Sequence, residues 1–211
     1  MRNNTFIITQ SGWSYLGISF IAFTLFYFLD LEFLAFIAFV ITLLFAFLFR
    51  NPERELLHLD EQSILSPVDG FVSAIETLED DPIYGYRIDI VSEYKHLCIL
   101  RMPFDATLQS IQMKKGARVS KESPLFEALN ENTEIVFELA SGATLKIQHR
   151  LTQSFAPLEI DILPSQKLFQ GSRYGMMQSG VTSIYLPATL RIDVHLLQEL
   201  KASQTLISFL S

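Results

Sequence analysis

The chain has 211 residues, 49% of them hydrophobic and 18% charged, which excludes a disordered polyelectrolyte and demands burial in a core or a bilayer. Its formal net charge is −7, carried entirely by residues 55–211, so no basic face is available to displace phosphate counterions and a nucleic-acid binder is excluded. One cysteine, Cys98, excludes an internal disulfide.

Eleven of the 18 phenylalanines precede Asn51. Residues 13–29 and 33–49 are two uncharged runs of 17 residues, parted by Asp30-Leu31-Glu32. At ~1.5 Å per residue each run reaches roughly 25 Å, at the short end of what spans a ~30 Å hydrocarbon core. The pattern predicts a transmembrane helical hairpin within residues 1–54. A single continuous helix would bury two carboxylates in lipid at ~2.5–3.5 kcal/mol each, so the acidic pair is expected at the turn. No small-x-small cleavage site lies between the runs, which argues against a removable leader. Arg2 on one flank and Arg50 and Arg54 on the other predict a multi-pass inner-membrane protein with residues 55–211 cytoplasmic.

Residues 55–211 read as a second, mainly β domain. Strands are expected at 71–75, 87–91, 96–102, 108–113, 133–139, 144–151, 158–163 and 182–186, with Pro and Gly between several of them. Helix is scarce: a turn or two at 124–129 and a terminal helix at 195–202, where Leu196, Leu197 and Leu200 fall at helical spacing. Many short strands at regular intervals predict an antiparallel β-sandwich or partly closed barrel.

Several side chains invite a chemical reading beside a structural one. Asp69, in Pro67-Val68-Asp69-Gly70, suits a turn cap or an acid–base role. Cys98 in an apolar strand reads as a small buried hydrophobe rather than a nucleophile. His96 and Cys98 are two donors where a metal needs three or four, so no metal is expected. His149 and His195 read as solvated or internally satisfied. Lys114, Lys115 and Arg118 form a basic cluster in an acidic domain, either a solvated turn or contacts to anionic lipid headgroups. Met113-Lys114 is similar to the modified pair of biotinyl domains, which keeps a lipoyl-like membrane adaptor as an alternative.

Phe49-Arg50-Asn51-Pro52-Glu53-Arg54 after two apolar runs, followed by Leu65-Ser66-Pro67-Val68-Asp69-Gly70-Phe71-Val72, resembles the opening of the phosphatidylserine decarboxylase family in its short, membrane-anchored form. Arg101-Met102-Pro103-Phe104-Asp105, Arg173-Tyr174-Gly175-Met176-Met177 and Ile184-Tyr185-Leu186-Pro187 follow in the order that the family pattern has them. The resemblance implies self-maturation: a Gly-Ser bond is cleaved with help from an Asp and a His, and the new terminal Ser becomes a pyruvoyl group. That carbonyl takes up the substrate amine as a Schiff base and acts as the electron sink for decarboxylation of phosphatidylserine to phosphatidylethanolamine.

Carried over residue by residue, the pattern places Asp69 at the family's Asp and Cys98 at its His. It places Gly180 at the glycine of the cleaved bond and Val181 at the serine, with one residue deleted nearby. Valine has no hydroxyl. The expectation is therefore a relative in phospholipid metabolism that keeps the fold and binds phospholipid or a protein partner, without a cofactor. The alternative is an active decarboxylase cleaved at a shifted residue, Ser172, Thr182 or Ser183, in which case a pyruvoyl-type group is made. Membrane phospholipid is the expected partner, and a protein partner or a second copy of the chain is left open.

Overall fold

The computed structural model describes residues 7–54, 63–79, 81–139 and 142–209. Arg2 and most of the link between Asn51 and Leu65 lie outside them. The chain divides into two compact units, Met1–Glu53 and Arg54–Ser211.

In the first unit, α1 (Gly12–Phe28) and α2 (Glu32–Leu48) are joined by a tight reversal. Asp30 has a left-handed backbone, φ 54°. Its N–H donates to Tyr27 O at 3.2 Å, and the N–H of Leu31 donates to Phe26 O at 3.0 Å. This is the paired 5→2 and 6→1 closure of a helix C-terminus, at a residue type that tolerates left-handed geometry. Aromatic rings pack the two helices together: Tyr15 lies 5.5 Å from Phe45, and Phe23 lies 5.6 Å from Phe39.

The expected transmembrane hairpin is not supported. Each helix has 17 residues, and at ~1.5 Å per residue such a helix is about 25 Å long, short of a ~30 Å hydrocarbon core. Among the described residues no helix is long and apolar enough to cross a membrane. The multi-pass inner-membrane placement and the cytoplasmic assignment of residues 55–211 rested on that hairpin and fall with it.

The second unit is mainly β, as expected. In chain order its elements are β1 (Ser63–Leu65), β2 (Gly70–Thr77), β3 (Tyr86–Ser92), β4 (Ile99–Arg101), β5 (Ala106–Lys114), α3 (Phe126–Leu129), β6 (Asn132–Glu138), β7 (Thr144–Leu151), β8 (Glu159–Ile160), β9 (Lys167–Leu168), β10 (Arg173–Met176), β11 (Gly180–Leu186), β12 (Arg191–Ile192), β13 (Glu199–Leu200) and β14 (Leu206–Phe209). An eight-stranded sheet runs β13-β2-β3-β11-β7-β6-β5-β9, and two three-stranded sheets run β1-β14-β12 and β4-β10-β8. The strand pairs are antiparallel throughout.

Period-two alternation builds the core. Ile88 and Ile90 of β3, Ile184 and Leu186 of β11, Ile147 of β7 and Ile135 of β6 are fully buried in one cluster; each such side chain contributes about 1.5–3 kcal/mol by leaving water. Phe104 meets Phe137 edge-on at 5.8 Å in the same cluster. The terminal helix expected at 195–202 is replaced by turns and β13. Leu197 has φ 63°, which stops a helix, and its N–H donates to Val72 O while Gln198 O accepts from Val72 N–H. Pairing with β2 overrides the helical spacing of the leucines.

Candidate functional site

Asp69 closes the turn before β2 and is buried, 7% exposed. Its carboxylate does not cap its own turn. It takes a two-pronged ion pair from Arg54, Nη1 to Oδ1 at 2.5 Å and Nη2 to Oδ2 at 2.7 Å, and accepts the Ala202 N–H at 2.8 Å. Arg54 Nη1 also donates to Ala202 O at 3.0 Å. Fork-to-fork pairing satisfies the buried carboxylate and the partly buried guanidinium at once and ties the start of the unit to its C-terminal segment. Ser92 Oγ donates to Asp69 O at 2.6 Å.

Ser92 stands opposite Gly180 in the β3–β11 ladder. Cys98, 1% exposed, reaches the same place by another route. Its carbonyl accepts the Met177 N–H at 2.8 Å. The Met177 sulfur in turn lies against Gly180, 2.6 Å from where a Cβ would stand, and the Arg150 carbonyl would also collide with that Cβ. Only glycine fits at this crossing of β7, β11 and the Met177 turn. The next residue, Val181, is 5% exposed and packs with Val91, Phe126, Phe71 and Val119. The fold thus brings Asp69, Cys98, Gly180 and Val181 to the first residues of β11, each of the first two through a single intermediary.

The basic cluster runs from Lys114, the last residue of β5, into the segment that follows. Lys114 Nζ donates to Ala128 O at 3.0 Å. Lys115 and Arg118 share the buried Glu131, at 3.1 and 3.0 Å, and Arg118 Nη1 donates to Ser154 O at 2.8 Å. Arg118 therefore fastens the segment that carries Val119 over Val181. Among the described residues no group of three or more His, Cys, Asp or Glu is placed to hold a metal ion.

His149 is the residue whose role only the fold reveals. It is fully buried on the core face of β7, with Nδ1 2.9 Å from Thr182 Oγ1 and Nε2 2.7 Å from Tyr174 OH. Burial pushes its pKa down to about 3, so the ring is neutral, one nitrogen donating and the other accepting. The same burial raises the Tyr174 hydroxyl well above its ordinary value. The alternation Leu145, Ile147, His149, Leu151 places this histidine inward; its partners, 25 and 33 residues away, carry no local signal. His96 differs: its Nδ1 accepts the Glu93 N–H at 2.9 Å within a turn, and burial, then Lys95, lower its pKa. That turn shortens the strand expected at 96–102 to β4.

Fold and site define an antiparallel β protein whose candidate centre lies at the start of a central strand. The family model described as phosphatidylserine decarboxylase matches residues 41–208. The chain is 29% identical over 215 residues to the phosphatidylserine decarboxylase proenzyme of Ralstonia pickettii, covering 98% of each chain. It is 26% identical over 207 residues to that of Paraburkholderia phymatum, covering 96% of each, and 26% identical over 213 residues to that of Wolbachia pipientis wMel, covering 97% of this chain and 91% of the relative. The chain belongs to the phosphatidylserine decarboxylase family.

Proposed function

We propose that this chain is a member of the family that does not mature by cleavage at Gly180 and acts in phospholipid metabolism by binding an aminophospholipid headgroup. The observation that carries the reading is Val181. The chemistry of a pyruvoyl group begins with a hydroxyl attacking the preceding carbonyl, and at this position two methyl groups pack against Val91 and Phe126 instead. The residues present do not fit that group at this bond. Asp69, committed to Arg54 and Ala202, and Cys98, fully buried, act on this reading as scaffold for the start of β11.

A second reading has one observation in its favour. Thr182 follows Val181, and its hydroxyl is hydrogen-bonded to a neutral imidazole, His149, which orients it as a nucleophile although burial leaves that ring a weak base. Cleavage before Thr182 would release a C-terminal fragment of 30 residues.

The deciding experiment is the intact mass of the purified full chain under denaturing conditions, with and without a carbonyl-trapping reagent. One species of full length, unchanged by the reagent, is expected. A 30-residue fragment that takes up the reagent supports the second reading and overturns the first, as does a trapped fragment starting at any other residue.

A further inference from the structure

The face of the eight-stranded sheet turned away from the main core carries the charge. Cross-strand register sets Val181 between Val91 and Arg150, Ser183 between Asp89 and Gln148, and Tyr185 between Arg87 and Lys146. Three cations therefore stand on β3 and β7 beside β11. Two of them are matched. Arg87 bonds Asp89 and Glu127, each at 2.9 Å, with Glu76 at 3.8 Å. Lys146 lies over the rings of Tyr185 and Tyr84, 4.0 and 5.2 Å from their centres.

Arg150 is the exception. It is 6% exposed, and among the described residues no carboxylate lies within 4.0 Å of its guanidinium. Nη2 donates to Gln148 Oε1 at 2.7 Å and Nη1 to Ser183 Oγ at a long 3.4 Å, the Tyr185 hydroxyl also interacts with the guanidinium, and Nε is buried with no partner. Glu127, whose carboxyl is held low first by its bond to Arg87, feels Arg150 only through space. Burying a guanidinium against neutral acceptors alone is costly, because the charge leaves water without a counterion. A planar fork with a spare N–H is the donor set that carboxylates and phosphates take up edge-on.

We propose that Arg150, with Ser183 and Gln148 beside it, is a binding site for the oxyanion of a phospholipid headgroup, a carboxylate or a phosphate, one residue pair across the sheet from Val181. The proposal rests on the headgroup-binding reading above and names its anchor. The ligand's oxygens take Nε–H and one Nη–H, and the ligand supplies the negative charge that the sheet does not. The site is covered on the Val181 side by Phe126 and Val119, so entry requires the segment fastened by Arg118 to yield.

The test is titration of the full chain with glycerophosphoserine, glycerophosphoethanolamine and L-serine, followed by calorimetry and by the Arg150 Nε–H resonance. The expected result is saturable binding of glycerophosphoserine with a shift of that resonance, and at least a tenfold loss of affinity in both Arg150→Gln and Arg150→Lys. Lys95→Gln, an exposed charge elsewhere, is expected to bind as wild type. Binding of glycerophosphoethanolamine but not L-serine assigns the oxyanion as phosphate, and the reverse as carboxylate. Equal binding by wild type and Arg150→Gln, or an unmoved Nε–H signal during wild-type binding, overturns the site and leaves the headgroup reading standing. No binding of any of the three probes by wild type overturns both. The resonance is read on wild-type protein, so a poorly folded variant does not shelter the proposal.

Discussion

Lowering the pH from 7 to 5 is expected to destabilise the protein through His149. Folded, this imidazole has its pKa pushed from the ordinary 6.5 down to about 3 by burial. Between those values the unfolded chain binds a proton that the folded chain refuses, so stability is full above pH 6.5 and is lost progressively as the pH falls towards 3. From pH 7 to pH 5 the loss from this one residue comes to about 2 kcal/mol, at ~1.4 kcal/mol per pH unit below the unfolded pKa. Stopping at pH 5 keeps carboxylates such as Asp81, Glu93 and Glu127 out of the comparison, because their lowered pKa values take effect only at more acid pH. The assay is urea unfolding of wild type and His149→Gln at pH 7, 6 and 5. His96, lowered by burial and by Lys95, contributes with the same sign in both proteins and cancels in the difference. Parallel stability curves for the two proteins would refute the reasoning. So would a His149 ring that titrates near pH 6.5 by NMR in the folded wild type, a measurement that needs no variant.

Asp69→Asn is expected to cost about 2–4 kcal/mol in denaturant unfolding, because it leaves the largely covered Arg54 guanidinium, 13% exposed, without its counterion. A cost below ~1 kcal/mol, the range of exposed pairs, would show that the pair does not hold the segments together. On the proposed reading of Val181 and Cys98, Val181→Ser combined with Cys98→His is expected to yield a C-terminal fragment of 31 residues by mass spectrometry, since it supplies a hydroxyl after Gly180 and an imidazole at position 98. A folded but uncleaved double variant would show that the bond after Gly180 is not the equivalent of the family's cleaved bond.

Local pattern alone was enough for several elements with one apolar face. The alternation of Leu145, Ile147, His149 and Leu151 predicts 144–151, the bounds of β7. Asp30 between two apolar runs predicts the reversal between α1 and α2, because a polar residue that accepts φ of 54° is what such a turn requires. The motif order from Phe49 to Pro187 predicts the family that the comparisons show. Pattern failed where length or pairing decided. The apolar runs of the first unit resemble membrane spans in composition, but helices of 17 residues fall short of the thickness they would have to cross. Leu196, Leu197 and Leu200 have helical spacing, yet a turn at Leu197, φ 63°, and hydrogen bonds to β2 replace the helix with a turn and β13.

The candidate site divides along the same line. Asp69, Cys98, Gly180 and Val181 were legible as chemical types at motif positions, and that Val181 carries no hydroxyl is read from the sequence alone. What only the tertiary structure decided is who meets whom. Arg54 finds Asp69, His149 joins Thr182 to Tyr174, and Arg150 is left with neutral neighbours beside Val181. A residue's period along a strand specifies the face on which its side chain lies. Its partners are set by sheet order and register, which juxtapose strands far apart in the chain and have no counterpart in local spacing.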